Sequence, residues 1–267
     1  MTSSANRSSP NSARPSSASL ARQLNAELGR HRDPTRAIAE KAYLKSDLEF
    51  IGVPLPAMRQ AVAGLKRHHP RLDRATVLDL VERLWKRRVF ESRMIAVLLL
   101  DTFPSLLTPE DIDMLERLIR ESKTWAFVDE LAIAITGRLI ERSPDLLATL
   151  DRWSTDADFW IRRSSLLALL PPLRRGAGDF RRFARYADGM LEQREFFIRK
   201  AIGWVLRETS KKRPELVSRW LLPRAERASG VTVREAVKYL SPAQRAELLA
   251  RYGSARRPAT ASVPAPR

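Results

Sequence analysis

Trp125 and Asp129 stand four residues apart in SKTWAFVDEL, so on a helix their side chains are neighbours on one face. Ala132 and Ile133 continue that side. Asp is a poor mid-helix residue, and a carboxylate among apolar neighbours needs a partner or a purpose. It is either a helix-start acid, with Ser122 or Thr124 as the cap, or a group kept for chemistry. Arg163, in DFWIRRSSLL, poses the complementary question. Leu166, Leu167 and Leu170 follow it by three, four and seven residues, so it projects from the leucine-bearing side of its helix beside Trp160. Arg162 lies nearer the flank. An arginine among leucines is either salt-bridged to a buried acid or aimed through the core into a cleft. Asp129, about one repeat earlier in the chain, is the candidate acid.

A third segment is Glu195–Arg207, EFFIRKAIGWVLR. At about 100° per residue, Ile198, Ala201, Ile202, Val205 and Leu206 share one arc. Trp204 lies at the edge of that arc, one turn after Lys200 and one turn before Arg207. It reads either as an edge core residue or as an aromatic surface inside a positively charged wall.

Taken together, Trp125-x-x-x-Asp129, Trp160-Ile161-Arg162-Arg163 and Ile202-Gly203-Trp204 within FFIRKAIGWVLRE resemble the active-site segments of the AlkD-like family of DNA alkylation repair enzymes. Tyr43, in AYLKSDLEFIGVPLPAMR, resembles that family's DNA-facing tyrosine. The resemblance spans about residues 34–240. It implies an alkylpurine DNA glycosylase built from HEAT-like helical repeats. Its substrate would be duplex DNA carrying N3- or N7-alkylated purines, whose fixed positive charge makes the base a good leaving group. By analogy Asp129 is the catalytic carboxylate, stabilising the sugar cation and positioning water. Trp125 and Trp204 are aromatic walls. Arg163 grips a backbone phosphate and orients Asp129. Tyr43, Arg162, Lys200 and Arg207 are the expected DNA contacts. The competing expectation is a non-catalytic helical scaffold that binds nucleic acid or protein.

The elements that must position these residues are helices. The 267 residues suffice for one large domain or one repeat array. No stretch alternates with period two, and no apolar run approaches the ~20 residues that span a bilayer. Capping residues and prolines mark helix starts at Asp33-Pro34, Pro56, Thr108-Pro109, Ser143-Pro144, Thr155/Asp156, Asp179, Arg213-Pro214, Thr232 and Ser241-Pro242. Gly253 is the expected final stop. The pattern predicts an all-α chain, a curved right-handed solenoid with a basic concave groove, repeating at roughly 40 residues. Residues 20–252 form the repeat domain. Residues 1–19, rich in Ser, Pro and Arg, and 253–267 are expected as disordered tails.

Cysteine is absent, which removes disulfides, zinc fingers and iron–sulfur clusters. His31, His68 and His69 make no chelating set, so no metal and no cofactor is expected. Net charge is +17; five tail arginines account for part of it, leaving +12 on the body. That excess points to a polyanionic partner. The remaining expectations are a monomer in the cytoplasm, associated with the nucleoid.

Overall fold

The computed structural model describes residues 15–254. No strand forms among them; Glu49 and Val89 make one isolated parallel bridge. The chain divides between Leu106 and Leu107 into two compact units.

The first unit holds α1 (Ser17–Gly29), α2 (Pro34–Leu44), α3 (Leu55–His68), α4 (Arg74–Trp85) and α5 (Phe90–Thr102). The expected tail 1–19 is thus shorter than read, because Ser16 caps α1 through the amide of Ser19 at 3.2 Å. The Ser17 hydroxyl donates to Asp79 and accepts from Arg83, while Leu20, Leu24 and Leu28 fill the core. The rest of that tail lies outside the described residues. Asp33 and Pro34 start α2 as read. No residue of α2 is buried, and Tyr43 is 73 % exposed. The loop after it depends on Glu91, whose buried carboxylate accepts the amides of Ile51, Gly52 and Val53. Gly52 has φ +80°, and a Cβ there would lie 1.9 Å from the Asp33 carbonyl oxygen, so only glycine fits.

The second unit opens with a Thr108–Asp111 capping box. Its helices are α6 (Ile112–Ser122), α7 (Trp125–Glu130), α8 (Gly137–Arg142), α9 (Leu147–Trp153), α10 (Phe159–Leu167), α11 (Leu170–Arg174), α12 (Phe180–Met190), α13 (Phe196–Ser210), α14 (Pro214–Leu221), α15 (Gly230–Ala236) and α16 (Pro242–Ser254). Two starts differ from the reading. Asp158, not Thr155 or Asp156, caps α10, because Asp156 is already held by Arg120 at 2.6 Å. Ser229, not Thr232, caps α15; the Thr232 hydroxyl instead donates to the Arg199 carbonyl across to α13. Helix α16 also runs through Gly253 to Ser254.

The repeat, invisible as sequence similarity, shows in the bonds. Arg120 reaches Asp156 and Arg152 reaches Glu116, each 36 residues away. Arg163 to Asp129 and Arg175 to Glu141 each span 34. Arg224 to Asp188 spans 36. These five bonds join successive layers of the second unit at 34 to 36 residues, tighter than the 40 expected. Several of the helices are a single turn or two, which shortens the period.

Candidate active site

Helix α7 begins after a reversal at Lys123, which takes φ +50°, and Thr124 supplies the cap through the Ala126 amide. Ser122 is not the cap; its hydroxyl donates back to the Leu118 carbonyl. This start puts Trp125 in the first turn, half-buried, with Asp129 one turn later. Phe127 and Val128 anchor the opposite side in the core. Beyond Glu130 the helix widens into a π segment, Leu131–Thr136, before α8 resumes. Such wide turns recur at functional sites. Here it joins two fixed ends. Asp129 is held at one. At the other, Gly137 approaches the Ala168 carbonyl so closely that a Cβ would sit 2.9 Å from it.

Helix α10 packs against both α7 and α13. From it Arg163 projects inward, as the leucine spacing requires, and is only 2 % exposed. Its Nε donates to Asp129 Oδ1 at 2.8 Å and its Nη2 to Oδ2 at 2.9 Å. Its Nη1 donates to the Phe197 carbonyl in the first turn of α13. The Phe197 ring lies 5.7 Å from the guanidinium carbon and 5.0 Å from the Trp160 ring, and Phe159 closes the stack. A planar fork bonded along one edge to both carboxylate oxygens fixes the carboxylate in position as well as in charge. The Asp129 side chain keeps 18 % of its surface open. The result is a partly open acid on a closed, rigid base.

The structure joins Asp129 and Arg163 directly, with Trp125 on the acid's own helix. Trp204 is half-buried on α13, two turns beyond Phe197, with Ile202 and Val205 buried beside it. The stripe read for α13 is correct: Ile198, Ala201, Ile202, Val205 and Leu206 are all fully buried. Gly203 lets α15 approach this helix, since a Cβ there would stand 2.8 Å from Glu235 Cβ.

Three of the expected DNA contacts have protein partners. Arg163 is enclosed, and three of its nitrogens are bonded to Asp129 and to the Phe197 carbonyl. Arg162 is 12 % exposed and is held by the carbonyls of Asp156 and Ala157, by Gln193 and by Glu195. It ties the loop before α10 to the loop before α13, because its flank of the helix faces the next repeat and not solvent. Arg207 is paired with Glu208 and Glu235. Lys200 is exposed, 5.8 Å over the Phe196 ring. Phe197 was missed by the sequence reading. Its contribution is a backbone carbonyl, and only its aromatic neighbours in the segment hinted at a built site. Among the described residues no group of His, Asp and Glu could hold a metal ion, and no helix is long and apolar enough to cross a membrane.

Comparison with known structures finds the same fold. A predicted DNA alkylation repair enzyme from Enterococcus faecalis superposes with a TM-score of 0.71 at 22 % identity, covering 79 % of this chain and 98 % of the other. AlkD2 from Streptococcus mutans gives 0.56 at 19 % identity, over 77 % and 99 % of the two chains. The protein smu.31 from Streptococcus mutans UA159 gives 0.53 at 20 %, over 69 % and 100 %. No curated protein matches. The family model described as DNA alkylation repair enzyme matches residues 24–240, a span that takes in Tyr43, Trp125, Asp129, Arg163 and Trp204. The half-open acid on its buried arginine thus lies inside a match that runs over most of the chain, and the chain belongs to the DNA alkylation repair enzyme family.

Proposed function

We propose that the protein is a monofunctional DNA glycosylase that releases N3- and N7-alkylated purines from duplex DNA, acting as a monomer. One observation carries this reading: Asp129 is partly open to solvent while Arg163 holds both its oxygens from below. The guanidinium is sealed in the core while the carboxylate it holds still faces solvent, so the acid alone can meet a substrate.

An N3- or N7-alkylated purine carries a fixed positive charge and departs without help from a general acid. The cost lies at the sugar, which turns cationic as the glycosidic bond breaks, as in other glycoside hydrolyses. Fixed negative potential beside that sugar lowers the barrier. Asp129 supplies it and also accepts a hydrogen bond from the attacking water, drawing off its proton as the bond to carbon forms. Arg163 keeps the carboxylate from rotating, so little reorganisation accompanies the reaction. Trp125 and Trp204 present π-faces to the cationic species, each worth roughly 0.5–2 kcal/mol. Lys200 and Tyr43 are proposed as DNA contacts on their respective units.

Asp129→Asn keeps the shape and loses the charge. Release of 7-methylguanine from methylated duplex is expected to fall at least about a hundredfold, with affinity for the duplex nearly unchanged. Wild-type rates of release from that variant would leave the protein as a basic helical scaffold. A gel shift alone does not separate the two, since both bind phosphate.

A further inference from the structure

The surface of α13 continues past the residues used above. Phe196, Lys200, Trp204, Arg207 and Lys211 follow one another at intervals of four, four, three and four residues. At about 100° per residue they fall within an arc of roughly 80°. The apolar stripe of the same helix faces the core, and these five side chains face outward, Phe196, Lys200 and Lys211 exposed and the other two half-buried. The far end of the row is reinforced. Tyr239, just after α15, is 51 % exposed, and the Lys211 ammonium stands 4.9 Å from its ring centre. Lys211 also bonds Glu208, which is shared with Arg174 and Arg207. Glu235 is shared between Arg207 and Lys238. Two carboxylates thus organise four cations, Arg174, Arg207, Lys211 and Lys238. The cluster keeps a net positive charge while its members are held in place.

We propose that Tyr239 and Lys211 form a second DNA contact, on the sugar–phosphate backbone about three nucleotides from the damaged base. Lys211 lies seven residues beyond Trp204, about 10 Å along the helix. For a strand laid along α13, rising 3.4 Å per nucleotide, that distance is about three steps. A phosphate fits the cation cluster, and the exposed tyrosine face covers the adjoining sugar. An acidic protein surface would not need the aromatic, and an anionic membrane would not need alternation along a single helix. The position in register with the lesion rests on the glycosylase reading; the contact itself does not.

The test uses the full-length chain and an undamaged duplex, so it reads binding without base release. Affinity is measured by fluorescence anisotropy over a series of salt concentrations for wild type, Tyr239→Ala, Tyr239→Phe and Lys211→Gln. Lys211→Gln is expected to make the slope of log K against log salt shallower by about 0.9, the loss of one phosphate contact. Tyr239→Ala is expected to weaken binding several-fold with the slope unchanged, and Tyr239→Phe to restore it. A product duplex with an abasic site then places the contact. Neutralising single phosphates as methylphosphonates should weaken wild type at about three nucleotides from the site, and Lys211→Gln should no longer sense that position. Wild-type affinity and slope in both Lys211→Gln and Tyr239→Ala would overturn the proposal. So would loss of affinity for phosphatidylserine vesicles with duplex binding intact. Should Lys211→Gln lower the melting temperature through its tie to Glu208, the Tyr239 pair decides. Duplex binding through Lys211 without any release of alkylated base would sink the glycosylase reading and leave this contact standing.

Discussion

Arg163 touches Asp129 with one edge of its guanidinium and the Phe197 carbonyl with the remaining nitrogen. Lysine cannot reproduce that fork. Arg163→Lys should therefore slow base release by about tenfold or more while the chain still folds, which single-turnover assays and circular dichroism would check together. Arg163→Met leaves Asp129 without its partner, and breaking a buried pair costs about 3–5 kcal/mol. Because Asp129 stays partly solvated, the lower end is expected, read as a drop in melting temperature. The pairing was legible in the sequence because Leu166, Leu167 and Leu170 fix which way Arg163 points. The true task of Arg162 was not. Its partners Gln193 and Glu195 come from the next repeat, and no spacing within its own helix announces them.

Helices carry these side chains, and their ends were the most readable part of the chain. Asp33, Asp179 and Ser241, with Pro34, Pro109, Pro214 and Pro242, mark starts because caps and N1 prolines satisfy or omit amides that a helix leaves free. The π segment Leu131–Thr136 was not readable, since its hydrophobic pattern passes for an ordinary helix. Its two ends are held by tertiary contacts, Asp129 on Arg163 and Gly137 on Ala168, which no local pattern announces. Close approach also governs α13. In Gly203→Ala the new methyl would press on Glu235 Cβ and on Thr232, 3.1 Å away. Such overpacking costs about 1–3 kcal/mol. The variant should melt lower and release base more slowly, because the displaced helix carries Trp204.

At the scale of the molecule, charge and spacing matter more than any one contact. Glu116 is a hub, accepting from Arg152, Arg120 and the buried Trp153 indole at 2.7 Å. Burial pushes its carboxyl up, but the bonds from Arg152, Arg120 and Trp153 outweigh it and hold the value at about 2, below the ordinary 4.5. The stabilisation it gives is complete above about pH 4.5 and drains away as pH falls towards 2. Glu116→Gln should flatten that part of the acid-unfolding curve. At neutral pH it should cost about 1–3 kcal/mol, since the Trp153 donor and two cations lose an anionic acceptor. Net charge of +17 was legible at once, and so was the all-α class; the period of the repeat was not, because it is written in bonds between unlike residues. Those bonds, each reaching one layer along and landing 34 to 36 residues away, make the second unit behave like a zipped stack. Fraying of α16 at the end of such a stack relaxes the layer beneath it first. Asp129, several layers inward, is insulated from that loss, so amide exchange should quicken in α16 long before it does in α7.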